Sequence, residues 1–146
     1  MMIYHKDFFI NRLVKEWLGH EKLIIACDLD DTIFPYNPEL TESCKETVKL
    51  IKECQTQGII FIINTAREPN KLDQSKQEVE SLGITVHAVN CMPSYWDLPI
   101  GKAGKVYANI FFDDRGGLEC TKHQLRKAFE IVKNYREQQK IQYDNN

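Results

Sequence analysis

Residues 23–27, Leu-Ile-Ile-Ala-Cys, run apolar without interruption and stop abruptly at Asp28-Leu29-Asp30-Asp31-Thr32. An unbroken apolar run is the pattern of a strand buried on both faces, and so of the interior of a parallel sheet. In open parallel sheets, ligands bind beyond the carboxyl ends of the strands. Three acids within four positions at such an end repel one another and are costly to desolvate, which calls for a compensating cation. The segment therefore marks both a place in a fold and a metal-type site.

The rest of the chain repeats this arrangement. Ile59–Ile63 is a second apolar run, closed by Asn64-Thr65-Ala66-Arg67-Glu68. Residues 84–89 read as a third strand, and residues 108–112 as a fourth that ends in Asp113-Asp114-Arg115-Gly116-Gly117. Phe9, Leu13 and Trp17 recur at helical spacing and predict a helix over about 5–18. Cys44, Val48, Ile51 and Cys54 mark one face of a helix running from an N-cap at Thr41 to Gly58. Leu72, Val79 and Leu82 predict another that stops at Gly83, and Leu125, Phe129, Val132 and Tyr135 a last one. Strands alternating with helices predict an α/β fold built from βα units around a parallel sheet. Three of the four strands then end in reactive side chains: Asp28/Asp30, Thr65/Arg67 and Asp113/Asp114. Parallel strands deliver these to one rim, with Lys102 and Lys105 just ahead of the fourth strand.

A chain of 146 residues is the size of one domain. The reading is a single domain over 1–146, with an N-terminal helix within 1–20, a core over 22–136 and a polar tail over 137–146. The balance of 19 basic against 21 acidic residues supplies no basic field, which argues against nucleic acid as the main partner. Five cysteines make an odd count without a C-x-x-C pair, the pattern of buried free thiols in a reducing compartment. Lys6, Asp7, Arg12, Lys15 and Glu16 interrupt the apolar residues near the N-terminus, so that stretch reads as neither signal peptide nor membrane span. A cytoplasmic protein with no membrane partner is the expectation. The apolar surplus of the first helix (Phe8, Phe9, Trp17, Leu18) serves either core packing or contact with a second copy.

With these pieces placed, the chain resembles the haloacid dehalogenase-like phosphohydrolase superfamily over about residues 23–117. Asp28-Leu29-Asp30-Asp31-Thr32 is similar to the family's first motif, D-x-D-x-T after an apolar strand, and Thr65 to its second. Lys105 or Lys102 stands for the third-motif lysine, and Asp113-Asp114 for the acidic fourth motif. The resemblance extends to small capless members labelled capsule-biosynthesis phosphatases, in which T-x-R-E follows strand two and a lysine precedes D-D-R by eight positions. That spacing favours Lys105 over Lys102.

The resemblance implies a three-layer α/β/α Rossmann-like core of strand order 3-2-1-4, without a sizeable cap. The gaps at about 33–41 and 90–104 are too short for an independent core. It also implies a Mg²⁺-dependent phosphatase acting through an aspartyl-phosphate on an unidentified phosphomonoester. Asp28 would be the nucleophile, which splits hydrolysis into two easier steps. Asp30 would act as general acid and then base. Thr65 would hydrogen-bond the phosphoryl oxygens, and Lys105 would neutralise charge. Mg²⁺ would be held by Asp28, the Asp30 carbonyl and Asp113, with Asp114 as ligand or support. Arg67 would bind a second anionic group or pair with an acid such as Glu68 or Asp114, and Asn90 is a candidate substrate contact.

Other readings share parts of this pattern. Glu39, eleven residues after Asp28, completes the outline of a calcium loop, but Ile33 stands where that loop needs Gly and a strand precedes it instead of a helix. A phosphoacceptor signalling domain takes its acid pair and its acceptor from different strands, whereas Asp28, Asp30 and Thr32 follow a single one. An inert scaffold acting as a binding module, or a phosphatase of polynucleotide ends, remain as alternatives. Tyr95-Trp96 reads as a roof over the site or a packing anchor. The basic residues of the last helix, Lys122 among them, read as a solvated face.

Overall fold

The computed structural model describes residues 3–101 and 103–146. Four strands, β1 (Leu23–Cys27), β2 (Ile59–Ile63), β3 (Ala88–Val89) and β4 (Ile110–Phe112), form one parallel sheet in the order β3-β2-β1-β4. The order, the parallel sense and the α/β class are those expected. Four helices accompany the sheet: α1 (Ile3–His20), α2 (Thr41–Gln55), α3 (Leu72–Ser81) and α4 (Leu118–Asp144).

Period-two alternation sorts β1 between two cores. Leu23, Ile25 and Cys27 point into a large cluster with Leu13 and Trp17 of α1, Ile51 and Cys54 of α2, Val79 of α3, and Leu125 and Phe129 of α4. Ile24 and Ala26 point the other way, into a smaller cluster with Ile62 and Val106, against which Met92, Trp96 and Tyr107 pack. The steps β1–α2–β2 and β2–α3–β3 run in the same direction, so right-handed crossovers set both helices on one face. The layering thus refines the expected α/β/α stack: one outer layer is helical, and the other is irregular chain from the β3–β4 connection. Trp96 stacks on Tyr107 with centroids 5.9 Å apart and donates from Nε1 to the Ile100 carbonyl. It anchors this layer and does not stand over the strand ends.

Both edge strands are shorter than their apolar patterns predict, for one shared reason. His87 donates its N–H to the Phe61 carbonyl, and its Nδ1 accepts the Phe61 N–H at 2.9 Å. Asn109 donates its N–H to the Ile24 carbonyl, and its Oδ1 accepts the Ile24 N–H at 2.7 Å. In each case a side chain closes the ladder where a backbone carbonyl would have done so, and regular pairing begins one residue later.

Helix ends show further differences. Thr41 does not cap α2; its hydroxyl donates back to the Pro38 carbonyl, because a 3-10 turn over Pro38–Leu40 leads directly into the helix. Gly58 closes the α2–β2 turn at φ 86, where a Cβ would lie 2.8 Å from the Glu21 carbonyl. The polar stretch from Glu137 is the exposed end of α4. Tyr135 is half-exposed instead of inward. Lys122 is buried, not solvated: its ammonium donates to the Ser43 carbonyl and hydroxyl and to Glu119, tying α4 to α2. Cys27, Cys44 and Cys54 are buried free thiols as expected, whereas Cys91 and Cys120 are exposed. Among the described residues no helix is long and apolar enough to cross a membrane.

Candidate active site

At the carboxyl ends of β1, β2 and β4 lies a cleft of about 550 Å³ lined by Asp28, Asp30, Thr65, Arg67, Asp113 and Asp114, together with Asp31, Tyr36, Ala66 and Arg115. Ladder bonds continue past the strands and fix its floor. Asp28 N–H donates to the Phe112 carbonyl at 2.8 Å, and Asn64 N–H to the Cys27 carbonyl at 2.8 Å.

A tight turn follows β1. The Leu29 carbonyl accepts the N–H groups of Thr32, Ile33 and Phe34. Asp31 sits at φ 61, a left-handed conformation that Asp tolerates better than most residues. Its carboxylate accepts the N–H groups of Tyr36 and Asn37 at 2.9 and 2.8 Å. The third acid of the motif therefore shapes the loop and holds Tyr36, 86% exposed, at the mouth of the cleft. Thr32, fully buried, joins the two acidic loops: its Oγ1 accepts the Asp114 N–H at 3.1 Å and lies 3.4 Å from an Asp28 oxygen.

Asp28, Asp113 and Asp114 each offer an oxygen within 4.8 Å of the others. Burial first, then a hydrogen bond to Asp114 and the negative charge of both neighbours, raises the Asp28 carboxyl to about 6, against the Leu29 N–H, which lowers it. Three hard carboxylates converging at this distance suit a small divalent cation such as Mg²⁺, which takes oxygen ligands and keeps part of its water shell.

The other acid of the first motif is differently engaged. Arg67 donates to both oxygens of Asp30, from Nη2 at 2.7 Å and from Nε at 3.2 Å, and also to Ser75 and Glu78. Its guanidinium lies 5.5 Å from the centroid of the Phe34 ring. The partners of Arg67 are thus Asp30 and Glu78, not Glu68 or Asp114. Thr65 Oγ1 accepts the Arg67 N–H at 3.1 Å, which leaves its own proton to donate into the cleft.

Two expected site residues lie elsewhere. Asn90, at φ 55, accepts the Thr65 N–H at 2.8 Å and donates to the Thr65 carbonyl at 3.0 Å. It braces the threonine from behind and is not among the residues lining the cleft. Lys105 is exposed on the irregular layer and also outside that lining, since regular β4 begins only at Ile110. Lys102 lies outside the described residues. Among the described residues, the cations that line the cleft are Arg67 and Arg115. Tyr36 and Arg115 were missed in the sequence, although the Pro35–Pro38 bracket and the D-D-R triplet hold them next to recognised residues.

A family model for haloacid dehalogenase-like hydrolases matches residues 25–95, from within β1 through the loop after β3. Over those residues the chain is similar to haloacid dehalogenase-like hydrolases. That match spans the first two motifs, and the β4 acids beyond it converge on Asp28 in space. A conserved protein from Bacteroides thetaiotaomicron is 25% identical, aligned over 66% of this chain and 78% of its own, with a TM-score of 0.49. No curated protein matches. The family that this model describes is one of hydrolases.

Proposed function

We propose that the protein is a Mg²⁺-dependent phosphomonoesterase working through an aspartyl-phosphate on Asp28. The reading rests on one observation above all: Asp28 shares a 4.8 Å cluster with Asp113 and Asp114 while Asp30, two residues on, is held apart from it by Arg67. Two carboxylates of one motif thus have different surroundings and can have different tasks.

Asp28, Asp113 and Asp114 would hold the metal, which when bound supplies positive charge against the phosphoryl oxygens. Asp28 keeps its second oxygen for attack on phosphorus, forming the O–P bond as the ester oxygen departs. Asp30 delivers the proton that the leaving oxygen takes up, then removes one from the water that hydrolyses the acyl phosphate. The Thr65 hydroxyl donates to a phosphoryl oxygen, and Asn90 fixes its backbone. Arg115 is placed to meet the remaining charge, and Lys105 would do so only by moving in from the irregular layer. The similarity to small capless capsule-biosynthesis phosphatases rests on Thr65-Ala66-Arg67-Glu68 and Asp113-Asp114-Arg115.

Hydrolysis of p-nitrophenyl phosphate with Mg²⁺, with and without EDTA, tests this reading. Turnover that EDTA abolishes supports it, whereas no metal-dependent turnover on that ester and a panel of nucleotide and sugar phosphates returns the chain to an inert scaffold.

A further inference from the structure

A second cleft, of about 480 Å³, adjoins the first and shares Asp30, Ala66 and Arg67 with it; beyond these it is lined by Glu68, Lys71, Gln74, Ser75 and Glu78. Its size is that of a site for a whole small molecule. We propose that this cleft is the leaving-group subsite of the phosphatase, and that it selects uncharged, hydroxyl-rich leaving groups. The assignment rests on the phosphatase reading, and on a requirement of it: the acid that protonates the leaving oxygen must stand within hydrogen-bond reach of that oxygen. Asp30 borders both clefts, so a leaving group held at Asp30 and directed away from the Asp28 cluster enters the second one.

The lining sets the ligand chemistry. Among the described residues that line it, Ala66 contributes the one aliphatic side chain, so an apolar group finds little to pack against. Both cations are already engaged: Arg67 by Asp30 and Glu78, and Lys71 by Glu68 at 4.0 Å. Three carboxylates against two cations leave an anionic surface, which repels a second phosphate or a polyanionic chain. Hydroxyls, in contrast, can donate to Glu68 and Glu78 and bond the amide of Gln74, which itself reaches Glu78 at 3.1 Å. A polyol or sugar monophosphate fits; a bisphosphate or a nucleic-acid end does not.

The test uses the full chain with Mg²⁺ and compares kcat/KM for acetyl phosphate, whose acyl group is too short to fill the cleft, a hexitol monophosphate and the matching bisphosphate. The monophosphate should exceed the bisphosphate by about tenfold or more. Gln74→Trp, filling the cleft from an exposed position on α3, should lower the ratio of monophosphate to acetyl phosphate by about tenfold, chiefly through KM. Glu68→Lys, also at an exposed position, should raise the ratio of bisphosphate to monophosphate. Ratios unmoved in folded variants, or a wild-type preference for the bisphosphate, would overturn the subsite. Absence of hydrolysis with all three substrates would remove the phosphatase reading itself, and the subsite with it.

Discussion

Arg67 holds both oxygens of Asp30 in a fork, at 2.7 and 3.2 Å, and is itself held by Ser75 and Glu78 on α3. A loop after β2 thereby sets the rotamer of an acid after β1. Arg67→Lys keeps the charge but loses the planar fork. We expect kcat to fall by roughly ten- to a hundredfold with KM changed little, because proton transfer depends on where the carboxyl stands. Steady-state kinetics check this; a loss confined to KM would place the guanidinium on the substrate instead.

Asp28→Asn removes the proposed nucleophile and one charge of the cluster. Turnover should vanish, and the metal-free protein should become more stable at neutral pH, on the order of 1 kcal/mol after allowance for solvent screening. Thermal melts in EDTA, set beside p-nitrophenyl phosphate assays, measure both effects.

The same cluster makes metal binding depend on acidity. Asp28 sits at about 6, above its ordinary 3.8, so the folded metal-free protein holds a proton there that the unfolded chain has lost. Between those values the folded state binds more protons, and metal-free stability declines as pH rises through them. A cation must displace that proton. Mg²⁺ affinity should therefore weaken as pH falls below about 6, with proton release on binding, measurable by calorimetry in buffers of different ionisation enthalpy.

Thr32 is the pin between the acidic loops. Thr32→Val keeps the shape but leaves the part-buried Asp114 N–H without its 3.1 Å acceptor, at a cost of about 0.5–1.5 kcal/mol. Metal affinity should fall with it, since Asp114 loses its backbone anchor. Denaturant melts and Mg²⁺ titrations separate the two losses.

His87 serves as an acceptor through Nδ1, which only the neutral ring can do. Burial lowers its pKa below the usual 6.5. The unfolded chain takes up a proton first as pH falls, so this contribution is fully present above 6.5 and is lost as pH drops through the lowered value. His87→Ala should cost about 1–3 kcal/mol by orphaning the buried Phe61 N–H, and should flatten stability in that pH window.

The strands, their order and the converging acids were readable because each depends on a strong local pattern. Leu23–Cys27 and Ile59–Ile63 are apolar throughout, and a parallel sheet carries their ends to one rim. What could not be read depends on particular side-chain geometry. Nothing in the string tells that His87 and Asn109 stand in for backbone carbonyls, that Asp31 folds a loop while Asp28 faces its neighbouring acids, or that Asn90 supports Thr65. The sequence does not decide whether Arg67 meets an anion or an acid, because its partners, Asp30 and Glu78, lie 37 residues before and 11 residues after it. Lys122 reads as surface from its charge alone, yet α2 lies across it.

The substitutions at the sheet margins also bear on how copies of this chain behave toward one another. Lateral polymerisation needs a long, flat strand border with free backbone groups. Here the outer strands are two and three residues long, and the Asn109 carbonyl is taken by the guanidinium of Arg12 from α1. A neighbour seeking to extend the ladder finds too few rungs on either side, so crowded solutions of the folded protein should resist fibre growth through these borders.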